Sequence, residues 1–348
     1  MKRIAVFALC SLGLSASVAA DGFAWSYLVH FGLNLWRDTP ISAATGKVPE
    51  KDAYTYCSDK VRFNHAEWMR LSARLREIGC NQVVIDLAEF PVYPSHPELA
   101  VEGSWPVAKV KEELSRLRAM GFEVVPKLNF SANHAVWMKD MRFRISTPEY
   151  RAFCADLIRD VVEMFDHPRL FHIGWDEEDV NNGEWPEYQV MRRGGRLWDD
   201  FRFLVGEVEK GGARAWIWAD LAWNPKRRAA FMENCPKSVL LGSWYYWKNT
   251  DPEDPELAAN LRNALRAYVA LDRAGYEQVP CSSVWACDEN AERLAEFSKK
   301  HLTPSRVKGF MMAPWLPTTG GEYERARSFN AVDRLAAVIR SYELGQIK

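Results

Sequence analysis

From residue 26 to its C-terminus the chain alternates short apolar runs with amphipathic stretches of helical period, and this alternation restricts its fold more than any other feature. The apolar runs fall at 26–36, 81–90, 122–130, 170–175, 214–219, 238–244, 278–285 and 307–314. The helical stretches fall at 64–78, 107–120, 148–165, 196–210, 226–234, 255–273, 289–300 and 322–344. In the first of these, Trp68, Leu71, Leu75 and Ile78 recur at helical spacing and Gly79 ends the stretch. Gly121 closes the second in the same way, and Ser146 and Thr147 ahead of Pro148 open the third. Strand–helix alternation predicts a parallel sheet, and eight repeats predict closure into a barrel, the α/β class with (β/α)8 architecture. The 348 residues suit one such barrel, which takes about 250 residues plus loops, and no linker or compositional break divides them.

Residues 1–20 have a different character. Lys2 and Arg3 precede an apolar stretch over 4–16, and small residues lead up to Ala20. This is the pattern of a secretory signal peptide cleaved after Ala20, with Cys10 lost in the process. The expectation is a secreted or periplasmic protein whose barrel occupies 21–348, with no membrane span after cleavage, because the apolar stretch is short. Cys57, Cys80, Cys154, Cys235, Cys281 and Cys287 remain. An oxidising compartment permits disulfides among them, and buried thiols are the equally open reading. None has CxxC spacing, so no structural zinc site is expected. A formal net charge of -1 gives no electrostatic case for a nucleic-acid partner.

In barrels of this kind, catalytic groups sit at the C-terminal ends of the strands and in the loops that follow. Here those positions are crowded with Trp, Tyr and acids, and the loops at 37–62 and 176–195 are rich in polar and aromatic residues. Of the 15 Trp, Trp36, Trp218, Trp223, Trp244, Trp247, Trp285 and Trp315 fall near this one face. Core packing alone would scatter them, so the clustering points to an aromatic rim for a carbohydrate substrate.

Asp176, Glu177, Glu178 and Asp179 follow the fourth apolar run directly. Mutual repulsion raises the pKa of one carboxyl, and burial beside Trp175 adds to the effect. A carboxyl that stays protonated near neutral pH can protonate a leaving oxygen. Neighbours on a strand point to opposite sides, so Asp176 and Glu177 share a site only where the strand end is bent, and Gly174 provides for that. Glu89, at the end of the second run, is a candidate second carboxylate. About 5 Å from Glu177, it would support a two-carboxylate retaining mechanism. His134 ends the third run and is a site candidate, whereas His172 reads as a core residue. Lys127, inside an apolar run, is either ion-paired or a ligand contact. No phosphate loop, nucleophile elbow or metal-binding His pair occurs, so neither a cofactor nor a metal is expected.

The run His172-Ile173-Gly174-Trp175-Asp176-Glu177 resembles the His-x-Gly-Gly-Asp-Glu motif of glycoside hydrolase family 20, the β-N-acetylhexosaminidases. Residues 32–37 are similar to that family's first strand, which ends on a sugar-binding arginine, here Arg37, with Asn34 in place of an acid. Residues 119–134 are similar to its third strand, with His134 on the family's histidine and Lys127 and Asn129 where it has Glu and Asp. Trp218 and Asp220 match a fifth-strand Trp-x-Asp. The resemblance spans most of the chain, and its specific part is the fourth-strand motif.

The resemblance implies substrate-assisted retaining hydrolysis, in which the substrate's own 2-acetamido group attacks the anomeric carbon. Glu177 would be the general acid/base and Asp176 would orient the acetamido group. Trp218, Trp244 and Trp315 would form the walls of its pocket, Tyr245 or Tyr246 would donate a hydroxyl, and Trp285 would contact the sugar. The departures are Trp175 at the second glycine, placing a bulky ring beside the acids, and Asn129, which would hold His134 less firmly. Two further readings are a glycosidase of another substrate class pairing Glu177 with Glu89, and a carbohydrate-binding barrel without turnover.

Overall fold

The computed structural model describes residues 22–178 and 185–343. The eight strands are β1 (Ala24–His30), β2 (Gln82–Asp86), β3 (Glu123–Lys127), β4 (Leu170–His172), β5 (Arg214–Trp218), β6 (Leu240–Trp244), β7 (Gln278–Ser282) and β8 (Gly309–Met312). They pair in sequence order, all parallel, and β8 closes on β1, completing the (β/α)8 barrel expected from the sequence. The helices are α1 (Glu50–Ala53), a short turn in the loop after β1, then α2 (His65–Glu77), α3 (Val107–Ala119), α4 (Pro148–Met164), α5 (Gly195–Lys210), α6 (Pro225–Asn234), α7 (Ala259–Arg273), α8 (Asn290–His301) and α9 (Glu322–Glu343). Asn64 caps α2 by accepting from Glu67 N, and Thr147 caps α4 by accepting from Tyr150 N.

Alternation along each strand divides the apolar residues into two cores. Tyr27, Val29, Val83 and Ile85 face outward and pack under the helices. Leu28, Val84, Val125, Leu170, Trp216, Leu240, Val279 and Met311 fill the barrel interior. One step further along the strands, the register sets His30 beside Asp86, Asp86 beside Lys127, and Lys127 beside His172. All four are fully buried. The interior is therefore apolar through its middle and polar where it meets the C-terminal mouth.

The strands end earlier than the apolar runs that predicted them. The first run extends to residue 36, yet β1 ends at His30. Phe31, Leu33 and Leu35 are buried beneath the following loop, outside the ladder. All six cysteines in the described residues are free; four are buried and Cys57 and Cys287 are half-buried, so the thiol reading is the one observed. Among the described residues no helix is long and apolar enough to cross a membrane. The signal-peptide reading of residues 1–20 and the acid at Asp179 lie outside the described residues.

Candidate active site

The site begins where β4 stops. After His172 and Ile173, Gly174 has φ of +74°, Trp175 +77° and Glu177 +53°. Left-handed conformations are costly for side chains with a Cβ, and two such residues in a row of four mark a held, strained turn. His172 Nδ1 accepts the Gly174 N–H at 3.0 Å and Gly174 O accepts from Trp218 N at 2.8 Å, fixing the turn on both sides. His172 is thus structural. Burial, and after it the Lys127 charge, push its pKa well below the usual range and keep the ring neutral.

One expectation is reversed. Trp175 does not sit beside the acids in the site. It is thrown outward between the sheet and α5, where its ring lies 5.4 Å from Phe201 and under the Arg192 guanidinium at 4.9 Å. With Trp175 removed, Asp176 and Glu177 both face one cavity of about 200 Å³ at the barrel mouth. The bent strand end that the pair requires is therefore present. Glu178 turns back into the protein, where its Oε1 accepts from Ala132 N at 2.7 Å and pairs with the buried Arg192 at 2.6 Å.

His134 stands between the two acids. Its Nε2 lies 3.2 Å from Asp176 Oδ2 and 3.1 Å from Glu177 Oε2. The other oxygen of Asp176 accepts from Asn129 Nδ2 at 3.0 Å and from Ser131 Oγ at 2.8 Å. Asn129 therefore holds Asp176 and not His134, contrary to the role inferred from the motif. Burial alone would raise the Asp176 pKa, but His134, then the Lys127 charge and the Asn129 amide, outweigh it and hold the carboxyl well below the usual range. Burial alone would lower His134, and the adjoining Asp176 and Glu177 outweigh it, so that its pKa rises to about 10. Asp220 Oδ2 accepts the Glu177 N–H at 2.8 Å, and burial followed by the Asp176 charge push Asp220 well above the carboxylate range. Within the run of consecutive acids the Glu178 carboxyl is raised, by burial first and by the Asp176 charge last, but it is turned away from this cavity.

Beneath the pair, Lys127 lines the cavity floor and donates to Asp86, so it is both ion-paired and a wall of the site. Burial and the Lys127 charge also keep the neighbouring His30 neutral. Rings form the remaining walls: Trp36, Tyr54, Trp185, Trp218, Trp244, Tyr246, Trp247, Trp285 and Trp315. Trp244 stacks on Tyr246 at 4.9 Å, while the predicted rim residue Trp223 packs behind Trp244 at 4.1 Å. Trp285 is 57% exposed at the rim. Tyr54 and Trp185 belong to the two long loops that the sequence marks as aromatic-rich, but nothing in the sequence singles them out.

Four more predicted residues are not among the cavity walls, the first being Asp220, which sits behind the Glu177 backbone. Tyr245 turns away and donates its hydroxyl to Asn249 O, which leaves Tyr246 as the cavity tyrosine. Arg37 bonds Thr55 Oγ1 at 3.2 Å and packs over Tyr56 and over Trp185, reaching the cavity only through that ring. Glu89 is buried, and its carboxylate accepts from Leu33 N at 3.0 Å and Asn34 N at 2.9 Å. It fastens the loop after β1 and is not among the cavity walls, so it is not the second carboxylate of a two-acid mechanism.

The charged cluster predicts a pH dependence of stability. In the folded protein His134 faces Asp176 and Glu177, with Asp86 and Lys127 beneath. Its raised pKa contributes stability that is complete below the unfolded value of roughly 6.5 and is lost as pH rises through about 10. The depressed Asp176 contributes stability above roughly pH 3.9 that is lost as pH falls further. Denaturant unfolding should therefore show an alkaline decline between about pH 6.5 and 10 that His134→Gln flattens. A decline of equal size in that variant would count against the cluster.

No family model matches the sequence, and no curated protein is similar to it in sequence. The fold does have solved neighbours. Flavobacterium johnsoniae chitobiase is 14% identical, with 82% of this chain aligned to 51% of that one at a TM-score of 0.51. Dispersin B is 13% identical, with 80% of this chain aligned to 95% of that one at 0.54. Streptomyces plicatus N-acetyl-β-hexosaminidase is 13% identical, with 91% aligned to 63% at 0.59. The chain thus spans about half the length of the chitobiase and nearly all of Dispersin B. At this identity the likeness is one of fold: the barrel is similar to those of glycoside hydrolase family 20 β-N-acetylhexosaminidases.

Proposed function

We propose that this barrel is a glycoside hydrolase that cleaves β-linked N-acetylhexosaminides by substrate assistance. The observation that carries the reading is the Asp176–Glu177 pair turned together into a ring-walled cavity, with His134 between them. Glu177 is the more open acid, with 29% of its side chain exposed against 13% for Asp176. It suits the group that must meet both leaving oxygen and water. Asp176, anchored and ionised, suits the orienting role.

In the first step Asp176 accepts a hydrogen bond from the acetamido N–H, which pushes electron density toward the acetamido oxygen. That oxygen bonds to the anomeric carbon as the glycosidic C–O bond breaks, and Glu177 passes its proton to the leaving oxygen. In the second step Glu177 takes a proton from water, the water oxygen bonds to the anomeric carbon, and the acetamido group is released. Trp218 and Trp315, with ring centres 5.8 Å apart, and Trp244 provide flat walls for the acetamide, and Tyr246 provides a hydroxyl. Asp220 fixes the Glu177 backbone from behind.

A pair of aryl β-glycosides tests the proposal, one derived from N-acetylglucosamine and one from glucose. Release of the aryl group from the first and about 100-fold less from the second is the expected result, since the nucleophile is part of the first substrate. Release from the glucoside alone would overturn the substrate class, and binding without release from either would leave a carbohydrate-binding barrel.

A further inference from the structure

We infer that His134, Asp176 and Glu177 form a binding site for a zinc ion whose occupation shuts the cavity to substrate. Three side chains of the right kinds converge here: one imidazole and two carboxylates, with candidate ligand atoms all within 4.8 Å of one another. Tetrahedral zinc, bound at about 2.0–2.1 Å by nitrogen and oxygen, sets neighbouring ligand atoms about 3.3 Å apart. The His134 Nε2 to Asp176 Oδ2 and Glu177 Oε2 separations of 3.2 and 3.1 Å are already close to two edges of that tetrahedron.

A second observation is the state of the imidazole. His134 is 3% exposed and lines the cavity; its Nε2 meets the two carboxylates, while its Nδ1 has no hydrogen-bond partner among the described residues. A buried polar ring usually has partners; this one has two carboxylates and open space in front of it. The outer contacts also suit a metal site. Asn129 and Ser131 fix the free oxygen of Asp176, and Asp220 fixes the Glu177 backbone. The cavity supplies the fourth position, where water would complete a three-ligand zinc site. Binding displaces the His134 proton to solvent and leaves the imidazole neutral on the metal. One imidazole with two carboxylates favours zinc over calcium or magnesium, which prefer oxygen ligands throughout.

The ion would occupy the atoms that Glu177 and Asp176 need for catalysis, so zinc would inhibit, and this part rests on the proposed function. The binding part does not. Calorimetric titration of zinc chloride into the intact, chelator-treated protein should show one cavity site, weakened about 100-fold or lost in both His134→Gln and Glu177→Gln, each checked for folding by circular dichroism. Magnesium chloride at the same concentrations should give no heat at this site. Zinc binding unchanged in both variants would assign the ion to another place, such as the half-buried thiols of Cys57 and Cys287, and would overturn the inference. Absence of binding at millimolar zinc would do the same. Binding without turnover of either aryl glycoside would retain the metal site and remove the hydrolase, whereas turnover indifferent to zinc would do the reverse.

Discussion

Glu177→Gln should lower turnover of aryl N-acetylglucosaminides by about 10²–10⁴-fold, with carbohydrate binding retained. The amide has the shape of the carboxylic acid but has no proton to give and cannot accept one from water. Its backbone anchors do not involve the altered group: Glu177 N still donates to Asp220, and Glu177 O still accepts from Asn133. His134 keeps Asp176 as its partner. The defect should therefore be chemical and not architectural. It should also depend on the leaving group, being largest for alkyl glycosides and smallest for acidic nitrophenols, which depart without protonation. A uniform loss across leaving groups would point to damage at the site and remove Glu177 from the acid role.

Gly174→Ala should cost about 2–5 kcal/mol of stability and most of the activity. Two independent penalties act at this position. The backbone has φ of +74°, where an L side chain is strained. An added Cβ would also lie 2.0 Å from Asn129 Oδ1 and 2.9 Å from its Cα, so the neighbour's side chain and backbone must both yield. Asn129 is a donor to Asp176, hence the steric cost is transmitted directly to the acid pair. Gly206→Ala is the control. That glycine lies within α5 with nothing within 4 Å of an added Cβ, and alanine there should stabilise by about 0.5–1 kcal/mol. Denaturant midpoints and turnover measured on both variants decide the matter; an active, fully stable Gly174→Ala protein would dismiss the strained turn as a determinant of the site.

The barrel was legible in the sequence because strand and helix periods alternate without interruption and every unit has the same order. The acid pair was legible because it stands at the end of a strand, where this architecture collects its chemistry. Side-chain direction was less legible. Adjacency in the motif suggests that Trp175 shares the surroundings of the acids, yet alternation from Leu170 in the barrel interior sets Ile173 and Trp175 on the helix side. Glu89 looked catalytic because it is an acid at a strand end, but two backbone amides of a loop 55 and 56 residues earlier claim its carboxylate. Tyr245 and Tyr246 are equivalent in pattern, and the choice between them depends on where Asn249 O lies. Tyr54 and Trp185 come from loops, whose approach to the cavity leaves no periodic trace.

The cavity walls are divided by position along the chain. Lys127, Asn129, His134, Asp176 and Glu177 all follow from β3 and β4, whereas the rings, Trp185 excepted, are supplied after β1 and β5 to β8. The two groups are joined by hydrogen bonds only at Asp220 among the described residues, which accepts from Trp244 Nε1 at 3.4 Å and from Glu177 N at 2.8 Å. Exchanging rings would therefore reshape the cavity walls while the hydrogen bonds that hold Asp176 stay in place.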